Sequence, residues 1–156
     1  MSSGVIAERL ADMGLSLPES VFPAANYVPY DLVGKTVYVS GQLPFRDGAI
    51  AYAGKLGDDV SVAQGQAAAQ LCALHILAQA AAAAGGDPER VDNVVKLTGF
   101  VNSAPEFIEQ HKVVNGASDL MVAIFGDAGR HARAAVGVAS LPLGAAVEVE
   151  GILTLR

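Results

Sequence analysis

The sequence predicts an α+β domain with the order β-β-α-β-α-β-β, its two helices lying on one face of a mixed sheet. Three observations predict it. Two stretches carry capping-box signatures, Ser61-Val62-Ala63-Gln64 and Ser103-Ala104-Pro105-Glu106. Runs rich in branched residues, the strongest holding Val91, Val94, Val95 and Val101, precede, separate and follow them. Glycine and proline punctuation, at Gly34-Lys35, Gly85-Gly86 with Pro88, and Pro142 with Gly144, falls between these runs.

Residues Ser3 to Met13 place Val5, Leu10 and Met13 at roughly helical spacing, Gly14 suits a left-handed cap, and Pro18 blocks continuation. Residues 1–26 thus read as an N-terminal extension with a short helix. The runs Tyr27 to Val33 and Thr36 to Ser40 flank Gly34-Lys35, a pair suited to a type II′ hairpin turn. In the second run Val37 and Val39 share one face while Thr36, Tyr38 and Ser40 share the other. At Gly41 the backbone is able to approach a ligand closely, and Pro44 ends the strand. The stretch Phe45 to Gly57 reads as a loop with a short strand at Ile50 to Tyr52.

The Ser61 cap predicts a helix running to Ala84, with Leu71, Leu74, Ala78 and Ala81 set on the sheet. Val91 to Val101 reads as a central strand. The Ser103 cap predicts a second helix that carries Phe107, Ile108, His111 and Val114 towards the core. Two final strands, Ala132 to Leu141 and Ala145 to Leu155, are separated by the proline-glycine corner.

At 156 residues the chain suits one compact domain with a sizeable core. Its 52% hydrophobic content comes largely from alanine, with aromatics only 6% and no tryptophan, so the core should pack from small side chains and leave apolar surface for a subunit interface. The net charge of −6 and the scattered cations argue against a nucleic-acid partner. The lone cysteine, Cys72, rules out an intrachain disulfide and reads as a buried structural thiol. His75, His111 and His131 are too far apart for a local metal motif, and neither a metal nor a cofactor is expected. Glu8, Arg9 and Asp12 interrupt any signal-peptide core, and the apolar run Leu71 to Ala84 is too short for a membrane span. A soluble, cytoplasmic protein is the expectation.

Arg133 is the residue that points to chemistry. A guanidinium stays charged and fits a carboxylate bidentately, so among small apolar neighbours it suggests an anion clamp. The competing reading is a solvated strand end or a structural ion-pair partner. Alternation puts Arg133, Ala135 and Gly137 on one face and Ala134, Val136 and Val138 on the other, which predicts that the valines face the core. In the last strand Glu148 and Glu150 share a face opposite Val147 and Val149. In a simple hairpin about Pro142, Arg133 would fall near position 152, ~13 Å from Glu148 along the strand. A site using both residues requires another strand order or a second subunit.

Residues 133–150, with the Leu141-Pro142 corner followed by Val147-Glu148-Val149-Glu150, resemble a signature of the Rid (YjgF-like) family of enamine/imine deaminases. Val39-Ser40-Gly41-Gln42-Leu43-Pro44 is similar to that family's other characteristic stretch, and the resemblance covers Tyr27 to Arg156. It implies a chorismate-mutase-like fold, a homotrimer with intersubunit clefts, and no cofactor. It further implies that Arg133 binds a substrate carboxylate, that Glu148 activates water, and that Tyr27, Ser40, Gly41 and Asn115 bind substrate. The implied reaction is hydrolysis of short-lived 2-imino acids to 2-keto acids and ammonia. Departures from the family pattern are Ala25-Asn26 ahead of Tyr27, Ala134 and Ala135 after the arginine, a longer stretch from His111 to Arg130, and the N-terminal extension. The two alanines favour the alternative of a non-catalytic binder of small carboxylates.

Overall fold

The structure is a computed structural model that describes residues 4–21, 23 and 25–156. Helix α1 spans Val5–Asp12, β1 Tyr30–Val33, β2 Thr36–Gln42, β3 Phe45–Arg46, β4 Ala49–Ile50, α2 Val62–Ala83, β5 Val91–Asn102, α3 Gln110–Phe125, β6 Ala132–Val138 and β7 Val147–Leu155. The predicted helix start at Ser3 lies outside the described residues. Five strands form one mixed sheet in the order β1-β2-β7-β5-β6, and β3 pairs with β4 separately.

This order explains why α2 and α3 share a face. Strands β2 and β5 both run antiparallel to β7, so they are parallel to each other, and β6 is parallel to β5. Parallel strands need a crossover, supplied here by α2 and then α3. Both crossovers move the same way across the sheet, and connections of one hand then put both helices on one side. β7 fills the gap between β2 and β5. Among the described residues the other face carries no helix.

Local chemistry sets the element ends. At α2 the Ser61 hydroxyl accepts from Gln64 N–H (3.1 Å) and the Gln64 side chain accepts from Ser61 N–H (2.9 Å), the expected capping box. Gly85 (φ 75°) and Gly86 (φ 92°) follow its last turn. In the β1–β2 hairpin Gly34 has φ 62° while Lys35 stays at negative φ, as a type II′ turn requires. Asp47 and Gly48 both have positive φ, which gives β3–β4 a tight turn of the type I′ kind. Strand pairing here lies at 45–50, earlier than the predicted Ile50 to Tyr52. The Asp-Gly pair was the available signal for it.

Helix α1 has no side-chain cap of its own; Ile6 N–H donates to the Glu89 carboxylate (2.7 Å) from the turn before β5. Ile6 and Leu10 enter the common core. Burying a side chain of this size contributes about 1.5–3 kcal/mol, enough to dock a short helix that would be marginal alone.

Three sequence expectations fail for packing reasons. Ser103 does not cap a helix: its backbone N–H donates to Val138 and its hydroxyl to Val101, while Ala104 N–H donates to Leu56. The backbone extends the sheet edge there, and α3 starts only at Gln110. Phe107 therefore packs from a loop, Ile108 is 79% exposed and His111 is exposed; the buried face of α3 is Val113, Val114, Ala117, Leu120, Met121 and Ile124. On α2 the sheet-facing side runs through Cys72 and Ile76, which reach Val147 and Gly151. Leu71 and Leu74 turn instead towards the N-terminal segment. A helix covered by the sheet, by α3 and by that segment is apolar nearly all round, so periodicity does not mark one face.

The third failure concerns β6. Ala135 packs against the core, and a Cβ on Gly137 would meet Gln110 and Ser103. Val136, 43% exposed, lies on the helix-free face. The predicted faces are thus inverted: the helix side of β6 carries Arg133, which reaches α3, then Ala135 and Gly137, where neighbouring side chains lie close.

Candidate active site

Each candidate residue owes its place to one of two regions of the sheet. At the β6 edge, Arg133 is paired with Leu97 of β5 and so points to the helix side. Its Nη1 donates to Asn115 Oδ1 (2.8 Å) and Ser118 Oγ (3.2 Å), and its Nη2 donates to the His111 carbonyl (3.3 Å). All three partners belong to the first turns of α3, and all are uncharged. Asn115 and Ser118 stand three residues apart, on one helical face.

The arrangement extends one residue deeper. His131 Nδ1 lies 2.6 Å from the Gly129 carbonyl and its Nε2 lies 2.8 Å from Ser118 Oγ. A carbonyl only accepts, so Nδ1 carries a proton, and Nε2 is linked to the same Ser118 hydroxyl oxygen that accepts from Arg133. Ser118 and His131 were not singled out from sequence, although both stand at same-face spacings, i+3 from Asn115 and i−2 from Arg133.

In the other region, β2 bulges between Val39 and Gln42 as it pairs with β7. Gly41 sits in this bulge, and the Glu148 carboxylate lies directly over it: a Cβ there would overlap Glu148 Oε1. Only glycine permits this contact. The Ser40 hydroxyl donates to the Val28 carbonyl (2.6 Å) and its N–H to Pro29 (2.9 Å), so the chain that carries Tyr27 is tied to the bulge. Tyr27 is itself 58% exposed.

Glu148 is half-buried, and no hydrogen bond or ion pair to its carboxylate occurs among the described residues. Burial pushes its pKa above the usual carboxylate range, and the nearby Glu150 charge adds to the rise. Cys72, by contrast, is fully buried with its thiol directed at the Val147 carbonyl; burial drives its pKa up and leaves it unreactive.

The structure therefore groups Glu148 with Gly41, Ser40 and Tyr27, and Arg133 with Asn115, but keeps the two groups apart. Strand β5 lies between β6 and β7, so the simple hairpin does not form. Arg133 is level with Leu97 and Glu148 with Phe100, three residues or ~10 Å along β5 and two strand spacings across. They also project from opposite faces. Of the two departures after the arginine, only Ala135 shares its face; Ala134 looks away.

A mixed sheet backed by two helices, with a guanidinium on the edge strand β6 and a half-buried carboxylate on the inner strand β7, defines an α+β protein of the YjgF/chorismate-mutase-like fold. The family model described as "YjgF/chorismate mutase-like, putative endoribonuclease" matches residues 7–152, and the chain belongs to this family, whose members include deaminases. The matched range takes in most of the residues ahead of Tyr27. Protein TCP17 of Trypanosoma cruzi is 51% identical over 157 residues, covering 100% of this chain and 98% of that protein. The crystal structure of Atu1372, a protein of unknown function from Agrobacterium tumefaciens, is similar with a TM-score of 0.92 at 53% identity, over 97% of this chain and 93% of that one. RidA from the Antarctic bacterium Psychrobacter sp. PAMC 21119 is more distant, with a TM-score of 0.59 at 30% identity over 88% of this chain and 94% of that one. No helix is long and apolar enough to cross a membrane among the described residues.

Proposed function

We propose that the protein hydrolyses reactive 2-imino acids and their enamine tautomers to 2-keto acids and ammonia, in clefts formed between copies of the chain. The observation that carries this reading is the state of Arg133: its three hydrogen bonds go only to neutral oxygens, so its charge is uncompensated and its fork is held in place for an anion. A second copy would bring its Arg133 and Asn115 to the Glu148, Gly41 and Tyr27 region of the first. The helix-free sheet face, with Tyr38 and Val136 exposed, supplies apolar surface for a homotrimeric association of this kind.

In the cleft, Arg133 holds the substrate carboxylate and leaves the imine carbon beside Glu148. Glu148 takes a proton from water as the new C–O bond forms and passes it to the imine nitrogen, which gives a neutral carbinolamine. The carbinolamine then loses ammonia: Glu148 takes the hydroxyl proton and returns it to the nitrogen, the C–N bond breaks with its electron pair leaving on ammonia, and the C=O of the keto acid forms. A carboxylate with a raised pKa is suited to both directions of transfer. No cofactor takes part. The test is ammonia and keto-acid formation from enzymatically generated imines; full activity in Arg133→Ala would end the proposal.

A second reading, a non-catalytic binder of small carboxylates, is favoured by Ala135, which offers no hydroxyl or thiol from the face of β6 that it shares with Arg133. Calorimetric binding of 2-oxobutanoate without turnover of any imine would select it. RNA cleavage fits less well, since the chain is acidic, and His75 Nε2 and both ring nitrogens of His131 are engaged by Phe45, Ser118 and Gly129.

A further inference from the structure

The Ser40–Gly41 bulge opens on its helix side into a pocket of about 880 Å³, walled by the N-terminal segment on one side and α2 on the other. Its lining is largely apolar, with Leu15, Pro18, Val21, Phe45, Leu71 and Leu74 the principal contributors. Tyr27, Ser40 and Gly41 form its rim, and Gly41 is the residue on which the Glu148 carboxylate rests. Gly41 thus borders both: Glu148 does not itself line the pocket, and the two adjoin through this one backbone position.

The wall is built. Gln79 of α2 is only 2% exposed, and its amide holds the N-terminal segment at two points: Ser20 Oγ donates to Gln79 Oε1 (2.7 Å), and Gln79 Nε2 donates to the Val21 carbonyl (3.1 Å). A buried amide satisfied only by this segment is costly to leave unpaired, so it fixes the segment at a distance from α2 instead of letting it collapse onto Leu71 and Leu74. On the far side His75 Nε2 and the Phe45 carbonyl, 2.9 Å apart, brace the β3–β4 hairpin against α2.

We infer that this pocket receives the substrate side chain and makes the protein selective for 2-imino acids with large apolar or aromatic side chains. The inference rests on the deaminase reading and names its substrate class. Small-molecule sites commonly measure ~300–1,000 Å³ and combine apolar walls with a few polar groups at one end. A methyl or ethyl side chain would leave nearly all of this pocket to water. Each additional buried methylene is worth about 0.8 kcal/mol, or roughly fourfold, so the four-carbon side chain of a leucine-derived imine should gain tenfold or more over the methyl of the alanine-derived one.

The experiment compares kcat/KM for imines generated by an amino-acid oxidase from alanine, leucine and phenylalanine, alongside calorimetry with pyruvate, 4-methyl-2-oxopentanoate and phenylpyruvate. The expected result is a preference of about tenfold or more for the larger members in both series. Leu71→Trp, on the half-buried rim, should reduce that preference about tenfold. Val21→Trp, on the exposed segment, should do the same without touching the helix and so guards against a folding defect. Gln79→Ala should weaken the preference by releasing the wall. Equal handling of small and large ligands by the wild type, or an unchanged ratio in both tryptophan variants, overturns the inference, as does the absence of binding by every keto acid. Failure of the deaminase reading looks different: no imine of any size is hydrolysed, while the keto-acid series still reports on the pocket.

Discussion

Two regions of the sheet carry opposite charges and treat them in opposite ways. At the β6 edge Arg133 is exposed, yet α3 gives it three neutral hydrogen-bond partners, one of which, Ser118, is linked in turn to His131. Where the inner strand β7 meets β2, Glu148 is half-buried, has no partner among the described residues, and shares its face with Glu150. The first region organises a charge without neutralising it, whereas the second withholds solvation and raises basicity. The proposed roles, a cation that holds a carboxylate and a carboxylate that moves protons, call for these two different surroundings.

The most severe way to break this contrast is to remove Glu148, the proposed proton-transfer group. Glu148→Gln should lower kcat of imine hydrolysis by about 10²–10⁴-fold, measured as keto-acid formation. The same change should raise the melting temperature at neutral pH. Because the folded-state pKa is raised, the folded protein holds more protons than the unfolded chain between the ordinary carboxylate value and the raised one, so ionisation of Glu148 subtracts stability as pH rises through that window. The gain in Glu148→Gln should therefore shrink towards acid pH.

Removal of the clamp comes next. Arg133→Ala should cost about 10²-fold in kcat/KM, and Arg133→Lys should recover little, because an ammonium cannot reproduce the fork held by Asn115 and Ser118. Mixing subunits of Arg133→Ala and Glu148→Gln sharpens the comparison further. If the two regions meet only between copies, randomly assorted trimers regain roughly a quarter of the clefts intact. No recovery would mean that both groups act within one chain.

Smaller effects test the surroundings. Glu150→Gln removes the like charge beside Glu148 and should move the acid limb of the kcat/KM profile to lower pH, with little change at the plateau. Ser118→Ala should raise KM by up to about tenfold and leave kcat nearly unchanged, the signature of an arginine whose charge persists but whose orientation is loosened.

Much of the fold was legible because it rests on local chemistry. The Ser61 capping box, the left-handed glycines after α2 and the Gly34 turn are decided by a few adjacent residues, and all three form as read. Ser103 looked equivalent to Ser61, but its backbone is claimed by Val138 and Leu56 from across the chain, and a cap signature cannot outbid a sheet edge. In the site, the Ser40-Gly41 step and Glu148 are grouped because a bulge lays a carboxylate on a glycine. Ser118 and His131 escaped notice because a hydroxyl and an imidazole acquire meaning only once α3 lies beside β6.

The sequence by itself determined the order of the elements, most of their ends and, through alternation, the division of each strand into two faces. Which face of β6 is covered was decided only in the tertiary structure. Hydrophobicity suggested that Val136 faces inward, yet the helix side of β6 carries Ala135, packed against the core, and Gly137, beside Gln110 and Ser103. The separation of Arg133 from Glu148 has the same origin. Alternation is a local property of the chain, whereas the placing of β5 between β6 and β7 depends on two long crossovers that no local pattern encodes.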